Sequence, residues 1–193
     1  RKTGRTLDAT AAMAVMAGRV EDRMRFDDQA RIAVAGAGSI GCYAGACLAL
    51  AGRKVALLAR PRIVDAVTGA GLVVRDLDGA QRHLPAGRVP ASADPAAVLA
   101  NADIVLVTVK SGATLGARHP VVAGMVPFNV VAAMAADGAP VFHRATEGTT
   151  LVDRAPAGLA AFLGVAGFPV SATADMDAVL WGKLLLNLNN ALN

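Results

Sequence analysis

From residue 31 onward the chain alternates short apolar runs with glycine-marked breaks, and the period of the apolar positions switches repeatedly between strand and helix. Ile32 to Ala35 reads as a strand, Ile40 to Ala51 as a helix of small residues stopped by Gly52, and Val55 to Ala59 as a second strand. Arg62 to Ala70 continues as a helix, and Gly71 to Val74 with Gln81 to Leu84 form a hairpin around Asp78-Gly79. Asp94 to Ala100 is a short helix capped by Ser92 or Asp94. Asp103 then leads into Ile104 to Val109, a continuous apolar run that predicts a buried parallel strand ending at Lys110. Ser111 to Pro120 is too short for the usual crossover to another parallel strand, which takes a dozen residues or more, so a piece is missing there. Val121 to Val126 and Asn129 to Ala132 supply more strand, and Ala139 to Leu151 a strand or hairpin. Leu159 to Leu163 begins a helix closed by Gly164 and Gly167, Pro169 to Ala172 is a last short strand, and Asp175 opens the final helix.

The most informative of these elements is the first strand–turn–helix. Gly36, Gly38 and Gly41 stand between a hydrophobic strand and a helix, the order of a dinucleotide site. Gly36 permits the tight turn, Gly38 lets the backbone approach a pyrophosphate, and Gly41 lets the helix press on its strand, while helix N-terminal amides face the phosphates. The end of the next strand carries Arg60 and Arg62 and no acid. An acid there would hold a ribose 2′-hydroxyl, whereas a guanidinium fork matches a 2′-phosphate, so the expected cofactor is NADP (NADPH). The whole pattern predicts an α/β fold, a Rossmann-type doubly wound sheet followed by a final helix. Residues 1–29 are expected to be an extension outside the fold and 30–172 the NADP-binding domain.

Composition narrows the picture a little. With 193 residues and 54% hydrophobic content the chain can bury a real core. Its net charge of +4 is scattered and its aromatic content is 4%, so a nucleic-acid partner finds neither a basic stripe nor stacking aromatics. No stretch reaches the roughly 18 apolar residues of a membrane span, so no membrane partner is expected. Ala9 to Ala17 is short for a signal core and Asp8 interrupts its entry; Met24 would be a natural start for the fold. Cys42 and Cys47 lie in the first helix without metal-ligand spacing and read as buried hydrophobes, in keeping with a reducing cytoplasm; no metal is expected. His83, His143 and Glu147 have no partner at fixed spacing and read as structural.

The final helix, DMDAVLWGKLLLNLNNALN, carries the other chemistry. Lys183 and Asn187 are one helical turn apart and share a face, with Asn190 close to the same stripe, so a cation and amides point at one region that an oxyacid would satisfy.

Taken together, GAGSIG, LLAR, DIVLVTVKS, AGMVPFNVV and LWGKLLLNLNNALN resemble the ketopantoate reductase (2-dehydropantoate 2-reductase) family, from about Ile32 to the C-terminus. The resemblance implies NADPH-dependent reduction of ketopantoate, a small 2-oxoacid, to pantoate in coenzyme A synthesis. The same resemblance implies that 173–193 is the first helix of an all-helical C-terminal domain, the start of a substrate or dimerisation domain. It makes Lys183 the catalytic general acid and Asn187 a substrate ligand, with Asn190 read beside it. It assigns the turn, Gly36, Ala37, Gly38, Ser39, Ile40 and Gly41, to the pyrophosphate, Arg60 to the 2′-phosphate, and Lys110 to the nicotinamide end. Two features depart from the family: the strand ending in asparagine and glycine has no match near Gly112 to Pro120, and the later substrate-binding serine and acidic residue have no counterpart before Asn193. An uncovered apolar face on the last helix then implies truncation, a homodimer or poor stability. The other readings left open are a related 2-oxoacid reductase or opine-type dehydrogenase, and a catalytically inactive NADP-binding module.

Overall fold

The computed structural model describes residues 26–108, 121–154 and 157–192, with side chains on the last helix described through residue 185. Lys110, the short 111–120 segment and the stretch containing Asp8 to Met24 lie outside the described residues.

The described strands form three sheets, two of which pack on one helix. The first strand, β1 (Arg31–Ala35), lies at the centre of a parallel sheet, flanked on one side by β2 (Lys54–Leu58) and on the other by β6 (Ile104–Val107). β5 (Ala91–Ser92) extends the β2 side, giving the order β5-β2-β1-β6. The direction in which strands are added therefore reverses between β1 and β6, the switch point at which such sheets bind ligands. A second sheet has the order β4-β3-β9-β8, formed by β3 (Leu72–Arg75), β4 (Gln81–Leu84), β8 (Val130–Met134) and β9 (Pro140–Arg144). A third, β11-β10-β7, joins β7 (Gly124–Met125), β10 (Thr150–Asp153) and β11 (Val170–Thr173).

The helix α1 (Ser39–Leu50) is buried continuously from Gly41 to Ala49, because it is covered on two sides: β1 and β2 on one, β3, β8 and β9 on the other. That explains its composition. An amphipathic helix has one apolar stripe, whereas a helix sandwiched between sheets is apolar all round and must be thin where the sheets come close. A Cβ on Gly45 would sit 2.8 Å from Leu57 Cδ2 and 3.4 Å from Val34 Cγ2, so the absent side chain sets the helix-to-sheet distance. Tyr43 leaves the opposite side, fully buried, with its hydroxyl donating to the Gly167 carbonyl at 2.9 Å and its ring edge-on to Phe128 at 6.0 Å.

The remaining elements follow the sequence with several corrections. The hairpin around Asp78-Gly79 forms with Leu72 opposite Leu84 and Gly79 at φ 81°. α2 (Pro61–Ala70) starts one residue earlier than expected, with Pro61 in its first turn, and α3 (Pro95–Leu99) takes Asp94, not Ser92, as its cap through Ala96 N at 2.9 Å. β6 is parallel to β1 as expected but ends at Val107, and only alternate residues are covered, leaving Val105 and Val107 exposed. Of the run Val121 to Val126 only Gly124–Met125 pairs as strand, while β8 extends to Met134. Ala139 to Leu151 is not a hairpin: β9 pairs with β3 and β8, β10 with β7 and β11. The intervening turn, with Gly148 at φ 137°, is held by the buried Arg144, whose guanidinium donates to the carbonyls of Gly148 (2.7 Å), Thr146 (3.3 Å) and Gly167 (3.4 Å). Beyond α4 (Leu159–Leu163), β11 begins at Val170 and α5 (Met176–Leu192) follows, with Asp175 accepting from Ala178 N. Residues 26–29, expected outside the fold, pack on it: Phe26 tilts against Phe162 at 5.9 Å, Asp28 pairs with Arg53, and Gln29 bonds Lys54.

Candidate functional site: a glycine turn at the sheet's switch point

The chain leaves β1 through Gly36, whose φ of 87° lies in the left-handed region that favours glycine. Both Gly36 N and Ala37 N donate to the Leu58 carbonyl at the end of β2, at 3.2 and 2.9 Å. Gly38 is the N-cap residue of α1 and offers no side chain; its amide donates to the Gly36 carbonyl at 2.7 Å, and its carbonyl accepts from Cys42 N. Among the described residues none accepts from the amides of Ser39, Ile40 or Gly41, and the first turn of α1 has no acidic residue. Three donors and the positive end of a helix thus face one spot, an arrangement suited to phosphate. A Cβ on Gly38 would have only the Gly36 carbonyl oxygen near it, at 4.0 Å, so it would project into the open space beside those amides. The site therefore fits a pyrophosphate.

Arg60 stands two residues past the end of β2 as the N-cap of α2, with its carbonyl accepting from Ile63 N and Val64 N and its side chain exposed. The structure places it beyond the carboxyl end of the strand next to β1, on the sheet edge that the glycine turn also occupies. Lys110 lies outside the described residues. Lys183 lies half-buried on α5, which packs on β7 and β10, and the side chains of Asn187 and Asn190 lie outside those described. The structure thus brings the turn and Arg60 to one end of one sheet, and it places Lys183 on another element without a described contact to them.

One residue that contacts the turn was not singled out by the sequence: Thr108, the first residue past β6. Its hydroxyl donates to the Gly36 carbonyl at 2.9 Å and lies 3.4 Å from that of Ala35, and its amide donates to Ala35 at 2.9 Å. The available signal was its place one residue beyond a predicted parallel strand. The cysteines are inert packing: burial pushes the Cys42 thiol up to about 12 and that of Cys47 to about 11. Among the described residues no three His, Cys, Asp or Glu gather as metal ligands would, and no described helix is long and apolar enough to cross a membrane.

A parallel sheet with an uncapped glycine turn at its switch point has the arrangement suited to a dinucleotide. Residues 32–156 match the family model of ketopantoate reductase PanE/ApbA, and the chain belongs to that family of NAD(P)-dependent oxidoreductases. The crystal structure of a PanE/ApbA family ketopantoate reductase from Ralstonia eutropha JMP134 is similar at 30% identity with a TM-score of 0.65, over 81% of this chain and 61% of that one. A 2-dehydropantoate 2-reductase from Methylococcus capsulatus shares the fold at 22% identity and a TM-score of 0.55, over 81% of this chain and 58% of that one. The chain thus spans about three fifths of the length of these structures. Among curated proteins none matches significantly.

Proposed function

We propose that this chain is the cofactor-binding part of an NADPH-dependent reductase that converts 2-dehydropantoate to pantoate, on the route to pantothenate and coenzyme A. The observation that carries the reading is the turn itself: three unaccepted amides at the start of α1, opened by Gly36 at φ 87°, on the same sheet edge as Arg60. Ser39, Ile40 and Gly41 would hold the pyrophosphate through their amides, and Arg60 a 2′-phosphate through its guanidinium. When bound, the nicotinamide supplies the hydride. Lys183 would stabilise the negative charge that develops on the 2-oxo oxygen and give that oxygen its proton, while Asn187 and Asn190 orient the substrate's oxygens. Membership of the ketopantoate reductase family supports the substrate, and a cytoplasmic location accords with two free thiols.

Calorimetric titration with NADPH and NADH tests the cofactor, with tighter NADPH binding expected. Turnover is then followed as NADPH oxidation across a panel of 2-oxoacids. No dinucleotide binding removes the whole reading. Normal binding with turnover of another 2-oxoacid, and none of 2-dehydropantoate, removes the substrate and leaves a related reductase.

A further inference from the structure

The turn between β1 and α1 is held from two neighbouring strands, and only one of those supports belongs to the glycine motif. On the β2 side, the Leu58 carbonyl gathers the amides of Gly36 and Ala37. On the β6 side, across the switch point, Thr108 is tied to β1 by its backbone amide and reaches on with its hydroxyl to the Gly36 carbonyl at 2.9 Å. That carbonyl also accepts from Gly38 N at 2.7 Å, so both of its lone pairs are used and the Gly36–Ala37 peptide plane is fixed. The hydroxyl also explains the third glycine. A Cβ built on Gly41 would lie 2.5 Å from Thr108 Oγ1, closer than any real contact, and 3.1 Å from both the Gly36 carbonyl oxygen and Val34 Cγ1. The space left by the missing side chain is filled by the hydroxyl of a residue 67 positions further along the chain.

We propose that Thr108 is a positioning residue for the dinucleotide: its hydroxyl holds the Gly36 carbonyl inward so that the amides of Ser39, Ile40 and Gly41 stay presented to the pyrophosphate, and Gly41 is glycine to make room for it. This rests on the cofactor reading above and names a part of the site outside its motif. Valine has nearly the shape of threonine but puts a methyl where the carbonyl needs a donor. Serine keeps the donor and loses the methyl.

The test compares Thr108→Val and Thr108→Ser for two quantities, the NADPH dissociation constant and, in cofactor-free protein, hydrogen exchange of the Gly36 and Ala37 amides. Thr108→Val is expected to weaken NADPH about tenfold and to speed exchange at both amides, while Thr108→Ser stays within about twofold of the parent in both. Loss of packing alone would reverse that order, since serine removes more volume than valine. Gly41→Ala is expected to weaken binding further, and Thr108→Ala in the same chain to recover part of the loss, a non-additivity expected only of groups in contact. Parent-like binding and exchange in Thr108→Val, or strict additivity of Gly41→Ala and Thr108→Ala, overturns the proposal. If the parent chain binds no dinucleotide, the cofactor reading falls, and the exchange data alone then decide whether Thr108 holds the turn.

Discussion

Arg60 is the residue on which cofactor choice turns. It is exposed, it caps α2 with its backbone and not its side chain, and its guanidinium has no described partner, so truncating it should leave the fold intact. Arg60→Ser should therefore weaken NADPH by about 10- to 100-fold, the worth of one or two charge-assisted hydrogen bonds, and leave NADH within a few-fold. Paired titrations with the two cofactors check this, and equal losses for both would assign Arg60 to general electrostatics. The two cysteines make a different prediction. Their thiols are protonated in the folded state because burial disfavours thiolate, whereas unfolded thiols ionise near 9.0. Their contribution to stability is thus full below that value and is lost as pH rises from about 9 toward the folded values of about 12 and 11. Labelling by a maleimide at pH 8 should track unfolding by denaturant, with both thiols silent in the native protein. Glycine and arginine were legible in the sequence because their chemistry is local: a positive φ and a fixed charge need no distant partner. Thr108 was not, because its meaning depends on β6 lying beside β1, a pairing that joins Ile32 to Ile104.

At the scale of elements, α1 organises the molecule and Arg144 fixes what surrounds it. The guanidinium of Arg144 spans three carbonyls, lies 4.6 Å from the Phe128 ring centroid and sits 3.8 Å from Asp76, all at 7% residue exposure. Gly167, one of those three acceptors, also takes the Tyr43 hydroxyl, so the turn after β9, the loop before β11 and α1 are joined through one cluster. Arg144→Met keeps much of the volume, leaves the Thr146 and Gly148 carbonyls without this donor and removes the cation beside Asp76. It should cost about 3 kcal/mol, read as a lower midpoint in urea at unchanged m-value. A loss under 1 kcal/mol would mean water takes over those acceptors. At the start of β6, Asp103 accepts from Arg31 N at 2.8 Å, which holds its carboxyl below the usual range with help from the Arg31 guanidinium. A depressed carboxyl adds stability above its unfolded pKa and loses it as pH falls through the folded one, so Asp103→Asn should flatten the acid limb of the stability curve slightly. The existence of the elements was visible in the apolar period, as β1, α1, β2 and the Asp78-Gly79 hairpin show. Their assignment to sheets was not. Ala139 to Leu151 reads as a strand or hairpin because its alternation continues across the turn, and the pairing of β9 with β3 and β8, and of β10 with β7 and β11, depends on partners distant in the chain.

At the scale of the whole molecule, apolar surface is left open in several places among the described residues, α5 and β6 among them. On α5 the exposures of Leu180, Trp181, Leu184 and Leu185 are 41, 66, 46 and 63%, and on β6 those of Val105 and Val107 are 40 and 39%. The positions on α5 recur at helical spacing, so they form one stripe along the helix, and a contiguous apolar stripe seeks cover. Self-association would cover this stripe in a purified sample. The chain should therefore sediment with a mass that rises with concentration. Trp181 is its single tryptophan, so its emission should move to the blue over the same range as water leaves the indole. Leu184→Lys with Leu185→Lys should abolish both changes and leave the thermal midpoint within a degree or two, because exposed positions away from caps and cores shift stability by no more than about 0.5 kcal/mol. NADPH binding should be unchanged in that variant, since the glycine turn lies on the parallel sheet and α5 packs on β7 and β10. A chain that stays monomeric at all concentrations with blue emission from the outset would show that α5 buries this stripe within one chain, and would place Lys183 in surroundings other than those described above.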